Sequence, residues 1–554
     1  MPTDAPSNLP PVLRPDAPPI HTLEDFAARF AVGTRGDVAG RTLSGITLAT
    51  ADLRPGDVFV AVQGVNRHGA EFAATAAEKG AVAIVTDAAG ADLAAASGLP
   101  VVLVDDPRGL LGELSAWVYS TGRDDELPIL FGTTGTNGKT SVSHLLEGIL
   151  GQLDLVTGLS STAERHIAGH VIVSRLTTPE AYEMHALLAL MRERGVEAVA
   201  VEVSAQALSR RRVDGIVFDV AGFTNLTHDH LDDYADMREY FEAKLPLFRP
   251  DRARRAVVCV DTASGAEVVA RSEVETVTVG TPDLAEDRDA AAAADWVVEI
   301  LDERPDGTRF RLSGPDDRSL TTVVPVIGQH MAANAGLAIV MILEGGYAWK
   351  RLVDALDGER IDAYLPGRTE LVSGERGPAV YIDFGHSPDA FEKTLAAVRR
   401  VTPGKVLMLF GADGDRDATK RHDMGRTAVV GSDILFITDH HPRHEDPDSI
   451  RATLHEGALR ARPDADIREF SPPERAILEA VALVGEGDAI LWAGPGHQDY
   501  RDIRGVRTPY SARELARRAL RGAGWPVPEP HWPVPYPDDE TPASDPLRPI
   551  FPTP

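Results

Sequence analysis

The segment Phe131-Gly132-Thr133-Thr134-Gly135-Thr136-Asn137-Gly138-Lys139-Thr140 follows an apolar run, 127–130, and precedes Ser141 to Leu150, where Val142, Leu145, Leu146, Ile149 and Leu150 recur at helical spacing. Strand, glycine-rich turn and helix together make a phosphate cradle, because the turn's N–H groups and the helix N-terminus point at an anion. Lys139 can reach terminal phosphates, and the Thr140 hydroxyl can hold Mg²⁺. The generic pattern G-x-x-x-x-G-K-[ST] is met imperfectly, since Thr133 stands at its first glycine. A glycine-rich turn that binds nothing is the alternative; Gly138-Lys139-Thr140 in this local context favours nucleotide binding.

Around this loop the composition sets limits. The chain has 554 residues, enough for about three domains. Its 43% hydrophobic and 6% aromatic content suits several ordinary cores. A net charge of −28 argues against non-specific nucleic-acid binding and against anionic membrane surfaces, but leaves room for an anionic substrate in a local basic pocket. The single cysteine, Cys259, rules out an intrachain disulfide. The N-terminal stretch has no basic, apolar signal region, and no apolar run is long enough to span a bilayer. We expect a cytoplasmic monomer with no nucleic-acid partner and no membrane insertion.

Outward from the loop, an α/β protein of three domains is expected. Residues 1–21 are proline-rich and aperiodic, as in a flexible arm. Residues 22–126 read as a small domain with strands at 57–62, 81–85 and 100–104 and a helix over 71–80. Alternation of that kind implies a mainly parallel sheet. Residues 127–364 form the central domain, with strands at 198–203, 218–223, 256–260 and 276–279, a hairpin near Asp306-Gly307, and a helix from about 329 to 343. Residues 365–525 hold apolar runs at 405–410, 433–438 and 488–492, separated by helical spacing, which suggests a Rossmann-like sheet. Ser387-Pro388 opens one helix, with Ser as cap and Pro in the first position. Residues 526–554 read as a disordered tail.

Several polar clusters follow strands, where open α/β sheets keep their ligands. Glu202 in Glu202-Val203-Ser204 could complete Mg²⁺ coordination with Thr140, or be a solvated strand end. His230, in Asn225-Leu226-Thr227-His228-Asp229-His230-Leu231-Asp232, could bind a metal, orient a phosphate or be structural. Lys244, between apolar neighbours in 240–248, reads from residue chemistry alone as a snorkelling surface lysine. Arg210, Arg211 and Arg212 could clamp a carboxylate or phosphate, or form a solvated basic loop. In the third domain four polar turns, around Asp383, Gly411–Asp417, Thr438–Arg443 and Gly494–Gln498, would line one face together.

These motifs in this order resemble the Mur ligase family, most closely its MurE branch, over about residues 40 to 520. The agreement rests on Thr134-Gly135-Thr136-Asn137-Gly138-Lys139-Thr140, Thr177-Thr178-Pro179-Glu180, Glu202-Val203-Ser204 and Val213-Asp214-Gly215. It continues through Phe223-Thr224-Asn225-Leu226, Asp229-His230-Leu231-Asp232, 240–248, Pro366-Gly367-Arg368 and Gly414-Asp415-Arg416-Asp417. The resemblance implies a small N-terminal nucleotide-sugar-binding domain, a central P-loop ATPase domain and a C-terminal amino-acid-binding domain. It implies that ATP and Mg²⁺ activate the carboxylate of UDP-N-acetylmuramoyl-L-alanyl-D-glutamate as an acyl phosphate, which the amine of a free amino acid, expected to be a diamino acid, then attacks.

By the same resemblance Lys139, Lys244 and His230 are catalytic, and Thr140, Glu202, His230 and Lys244 hold the metal, with Lys244 carbamylated. Gly135, Thr136, Asn137, Gly138, Lys139, Thr140, Asn334, Arg368 and Asp383 would bind ATP. Thr50, Thr177, Thr178, Ser204, Arg210 and Arg212 would meet the UDP substrate. Arg416, His440, His441, Arg443, Gly494 and Gln498 would face the incoming amino acid.

The departures from the family pattern are concentrated in a few motifs. Ala49-Thr50-Ala51 stands where Asp-Ser-Arg is usual, and Ala205-Gln206 replaces a Ser-His pair. His440-His441-Pro442-Arg443 replaces Asp-Asn-Pro-Arg, and Gly494-Pro495-Gly496-His497-Gln498 replaces Gly-Lys-Gly-His-Glu. Loss of that last Glu removes a counter-charge for a distal ammonium. Rival readings are a Mur-like amide ligase of another pathway, such as folylpolyglutamate synthesis, a non-catalytic paralogue binding UDP-precursor or a partner protein, and a simple P-loop phosphatase or kinase.

Overall fold

The computed structural model describes residues 12–64, 66–228 and 233–529, and the counts below are of those residues. Three sheets carry the molecule. The first has five strands in the order Gly33–Arg35, Val101–Leu103, Ala83–Thr86, Asp57–Ala61, Gly45–Thr47, parallel except for the first pair. The second has eleven strands, with Ile129–Thr134 between Ala198–Glu202 and Phe218–Phe223. Its central strands are parallel, and antiparallel hairpins close both ends, one of them turning at Asp306-Gly307 as expected. The third has six strands in the order Glu370–Leu371, Ala379–Asp383, Ala489–Ala493, Val406–Phe410, Ile434–Ile437, Asp466–Glu469, again parallel after the first pair.

Ala198–Glu202 is buried along its whole length, and Ile129–Thr134 and Phe218–Phe223 are buried except at Ile129 and Asp219, which suits a parallel sheet covered by helices on both faces. The helix Lys139–Gln152 sets Val142, Leu145, Leu146, Ile149 and Leu150 into the core beside the helix Gln329–Glu344. Ser387 caps the helix Pro388–Val401, its hydroxyl accepting from the Ala390 N–H.

Four expectations are corrected. The strand entering the loop is Ile129–Thr134 rather than 127–130, because the ladder continues through Gly132, which registers with Val201 on one side and Ala221 on the other. The helix expected at 71–80 is a 3₁₀ turn, Gly69–Phe72, followed by the short helix Ala73–Glu78. The N-terminal arm is packed from residue 12 onward: Val12 and Leu13 are buried, and Arg14 Nη1 meets Asp57 Oδ1 at 2.6 Å, both side chains nearly inaccessible. A buried ion pair fixes a segment whose composition reads as free. At the other end the Pro526 carbonyl accepts from Gly374 N–H at 3.2 Å and Val527 packs on the third domain's core, so the tail begins later than 526.

The third sheet is carried against the second by the connection around Tyr364. His144, on the phosphate-loop helix, has Nδ1 3.0 Å from the Tyr364 carbonyl. Arg513, on the last helix, donates to the Tyr364 hydroxyl at 3.0 Å and to Asp499 at 2.9 Å. These contacts bring the carboxyl ends of the third sheet's strands over the phosphate loop.

Candidate active site

A chamber of about 620 Å³ lies between the central and third domains. Its floor is the phosphate loop. Gly138 caps the helix Lys139–Gln152 with a left-handed φ of +92° and offers no side chain to the first turn, so the N–H groups there stay available to an anion. A Cβ at Gly138 would sit 2.7 Å from Asn334 Oδ1, so the loop and the helix Gln329–Glu344 touch at this point. Lys139 Nζ folds back onto the carbonyls of Gly135 and Thr136 at 3.1 and 2.8 Å. Asn137 reaches Asp389 of the third domain at 3.1 Å.

Beside the floor stands Glu202, buried at a strand end. Its Oε2 accepts from the Thr140 hydroxyl at 2.9 Å, the Thr162 N–H at 2.8 Å and the Thr162 hydroxyl at 2.9 Å. Arg368 donates to the same Thr140 hydroxyl at 3.1 Å while its guanidinium lies 4.5 Å from the Phe384 ring centre. Burial lowers the Arg368 pKa, and Glu202 and Asp383 oppose that shift. Asp383 accepts from the N–H groups of Thr369 and Gly385, locking the turn that holds Arg368.

Lys244 is 1% exposed, which overturns the surface-lysine reading from residue chemistry. It sits between the helix Met237–Glu242 and the 3₁₀ turn Leu245–Phe248, with Nζ 2.9 Å from the Gly135 carbonyl and 4.0 Å from the Tyr240 ring centre. His230 lies outside the described residues.

The arginine cluster is not an open clamp. Arg212 pairs with Glu180 at 2.9 Å, Arg211 with Asp214 at 2.8 Å, and Arg210 with Asp233 at 3.2 Å. Arg210 and Arg212 still line the chamber, with Thr177 and Ser204. Thr178 does not: it is buried behind the wall, donating to the Glu202 carbonyl at 2.8 Å and accepting from Ser204 N–H at 3.1 Å. Thr50 is also outside, on the turn Thr50–Asp52 of the first domain, its carbonyl accepting from Lys79.

The far wall belongs to the third domain. Arg416, His440, Arg443, Gly494 and Gln498 line it, whereas His441 stands behind it. His440 Nδ1 is 2.8 Å from Asp413 Oδ1, and Arg443 is 3.3 Å from Asp413 Oδ2. Burial works against the Asp413 charge, but the His440 hydrogen bond and the neighbouring imidazoles hold its carboxyl well below the usual carboxylate range. Thr162 was not singled out from sequence, and Phe384 and Asp413 stood there only as members of the polar turns, without a role. Thr162 follows the strand Thr157–Ser160, so the strand-end rule that found Glu202 could have found it.

Three family models match the chain: "Mur ligase family, catalytic domain" over residues 42–119, "Mur ligase middle domain" over 133–342 and "Mur ligase, glutamate ligase domain" over 367–496. The UDP-N-acetylmuramyl-tripeptide synthetase of Leifsonia xyli subsp. xyli is 56% identical over 517 residues, covering 93% of this chain and 99% of that one. The chain belongs to the Mur ligase family.

Among this Mur ligase's other relatives is the UDP-N-acetylmuramoyl-L-alanyl-D-glutamate–2,6-diaminopimelate ligase of Streptomyces avermitilis, 41% identical over 483 residues, or 86% of this chain and 92% of the relative. A solved structure of a UDP-N-acetylmuramoyl-L-alanyl-D-glutamate–2,6-diaminopimelate ligase aligns with a TM-score of 0.62 at 23% identity, over 90% of this chain and 99% of that one. MurF of Thermotoga maritima, solved in complex with ADP, aligns with a TM-score of 0.58 at 18% identity, over 86% and 98% of the two chains. At these identities the structures share the fold of this Mur ligase.

Proposed function

We propose that the chain is an ATP-dependent amide ligase that joins a free amino acid, a diamino acid by kinship with its relatives, to UDP-N-acetylmuramoyl-L-alanyl-D-glutamate in peptidoglycan precursor synthesis. The observation that carries this reading is one shared chamber. It is lined by the phosphate loop, by Glu202 with Thr140, by Arg210 and Arg212 and by the cationic wall of the third domain. A substrate carboxylate, a triphosphate and an amine can meet only where such opposed charges converge.

Thr140 Oγ1 and Glu202 Oε2, 2.9 Å apart, are hard oxygen donors of the kind Mg²⁺ takes, so the residues fit the ion. When bound, Mg²⁺ neutralises charge on the phosphates as the phosphoryl group moves. Lys139 holds phosphate oxygens. Arg368, Asp383 and Asn334 hold the nucleotide from the other side, with Gly135, Thr136, Asn137 and Gly138 beneath it. The substrate carboxylate displaces ADP from the γ-phosphorus to give an acyl phosphate. The amino group then attacks the acyl carbon, loses a proton and releases inorganic phosphate.

His230 and Lys244 complete the metal site in this reading. Lys244 would do so after its amine takes up CO₂ and loses a proton, becoming a carbamate. Its contacts with the Gly135 carbonyl and the Tyr240 ring suit an ammonium, so carbamylation requires the amine to leave that carbonyl. Residues 22–126, with Thr50, serve the uridine end; residues 127–364 serve ATP, with Thr177, Ser204, Arg210 and Arg212 toward the muramoyl peptide and Thr178 behind them, fixed to the Glu202 carbonyl and the Ser204 N–H; residues 365–525 serve the amino acid. One chain supplies every group, so a monomer suffices, and the nucleotide substrates put the reaction in the cytoplasm.

The test is phosphate release from ATP with the UDP-dipeptide and a panel of amino acids. Acceleration by an amino acid, dependent on the dipeptide, supports the ligase; ATP turnover indifferent to every amino acid sinks it.

A further inference from the structure

The far wall of the chamber contains a hydrogen-bond relay whose polarity can be worked out. The backbone N–H of Asp502 donates to His441 Nδ1 at 2.9 Å, so that nitrogen carries no proton in the pair. Burial, with His440 adding to it, pushes the His441 pKa down to about 4, so the ring is neutral near pH 7. A neutral imidazole protonated at one nitrogen must then carry its hydrogen on Nε2. His441 Nε2 is 2.8 Å from Gln498 Oε1, so the ring donates and the amide oxygen accepts. That fixes which way the Gln498 amide faces. Its oxygen is turned to His441, and its NH₂ group, which has no partner among the described residues, belongs to a side chain lining the chamber.

We infer that Gln498 is a specificity-determining residue that presents an N–H donor to the far end of the incoming amino acid, so that the pocket selects a side chain ending in an oxygen and disfavours one ending in an ammonium at that point. The surroundings agree. Arg416, Lys420 and Arg443 line the same wall. The two nearby carboxylates are already engaged: Asp413 by His440 and Arg443, Asp417 by the Thr419 N–H and hydroxyl. The amide oxygen is turned toward His441, so the end of Gln498 left for the chamber is a donor, which meets an oxygen and not an ammonium. A diamino acid is compatible with this pocket when its far end also carries a carboxylate or hydroxyl to meet Gln498. The inference rests on the ligase reading above and names the acceptor class of that site.

The test uses the full chain, the UDP-dipeptide, ATP and matched acceptors that differ only at the end: homoserine against 2,4-diaminobutyrate, 5-hydroxynorvaline against ornithine, and diaminopimelate against lysine. The readout is kcat/KM for acceptor-dependent phosphate release. The oxygen-ended member of each active pair should be favoured by about tenfold, the size of one directional hydrogen bond set against an unpaired ammonium. Gln498→Glu keeps an acceptor for His441 and turns a carboxylate to the chamber, so it should reverse the preference by tenfold or more at an unchanged thermal midpoint. Gln498→Met removes the donor and should cut the oxygen-ended substrates without raising the others. Wild-type preference for the ammonium-ended members, or ratios that neither variant moves, overturns the inference while leaving the ligase intact. Failure of every amino acid to accelerate ATP turnover overturns the ligase reading and this inference with it.

Discussion

Gly138→Ala puts the contact between phosphate loop and nucleotide helix under direct test. Gly138 has φ +92°, where a side chain costs roughly 1–2 kcal/mol. The new Cβ would lie 2.7 Å from Asn334 Oδ1 and 3.1 Å from its Nδ2, so the buried Asn334 must leave its rotamer at a further cost of about 0.5–1.5 kcal/mol. The sum is about 1.5–3.5 kcal/mol, and in a domain of this size each kcal/mol moves the midpoint by about 2–4 °C. The central domain's melting transition should therefore fall by about 3–14 °C, read by differential scanning calorimetry. In the surviving fold KM for ATP should rise about tenfold, since displacing Asn334 removes a polar contact worth about 1.4 kcal/mol. Gly138→Ala/Asn334→Ala relieves the clash but not the backbone, so its stability should exceed the additive expectation by about 1 kcal/mol. A single variant that melts with the wild type and keeps its ATP affinity refutes the close approach and the role drawn from it.

Lys244→Ala should lose almost all ligase activity and recover part of it when a small carboxylate such as acetate is added; activity unchanged by the substitution removes Lys244 from the metal site. Arg14→Ala leaves the buried Asp57 with no cation at hydrogen-bond distance, which should cost about 3–5 kcal/mol by thermal unfolding, and an unchanged midpoint would contradict the packed arm. Burial opposes protonation of His166, but Glu147 and Glu164 override it and raise its pKa to about 10 from an ordinary 6.5. The folded state therefore holds a proton the unfolded chain lacks. Stability from this group is full below pH 6.5 and is lost as pH rises through 10, at a slope of up to about 1.4 kcal/mol per pH unit. His166→Asn should flatten that alkaline limb of the melting profile; an unaltered limb assigns the slope elsewhere.

The phosphate loop was legible because its chemistry is local: glycines, Lys139 and Thr140 declare a cradle without help from distant residues. The parallel strands were legible for the same reason, as short apolar runs between helical spacings. What residue chemistry alone missed depends on partners far along the chain. Lys244 reads as exposed until the Tyr240 ring and the Gly135 carbonyl, 109 residues away, enclose it. The arginines at 210–212 look free until Glu180, Asp214 and Asp233 answer them. The arm reads as flexible from its composition, which does not reveal the one ion pair, Arg14 with Asp57, that fixes it. In the third domain the substitutions His440, His441 and Gln498 were visible, and with Gln498 the loss of a counter-charge, but the direction in which the Gln498 amide faces was not. The Asp502 N–H that sets the His441 tautomer lies 61 residues on, and no local pattern announces it.

The acyl phosphate is the centre of the proposed chemistry, and oxygen transfer tests it most directly. The UDP-dipeptide is prepared with ¹⁸O in the carboxylate that becomes the amide, turned over with ATP and the best acceptor, and the released phosphate is read by mass spectrometry. Attack of that carboxylate on the γ-phosphorus, followed by amine attack on the acyl carbon, leaves one ¹⁸O in each phosphate. Phosphate free of ¹⁸O, with amide still formed, would contradict the account.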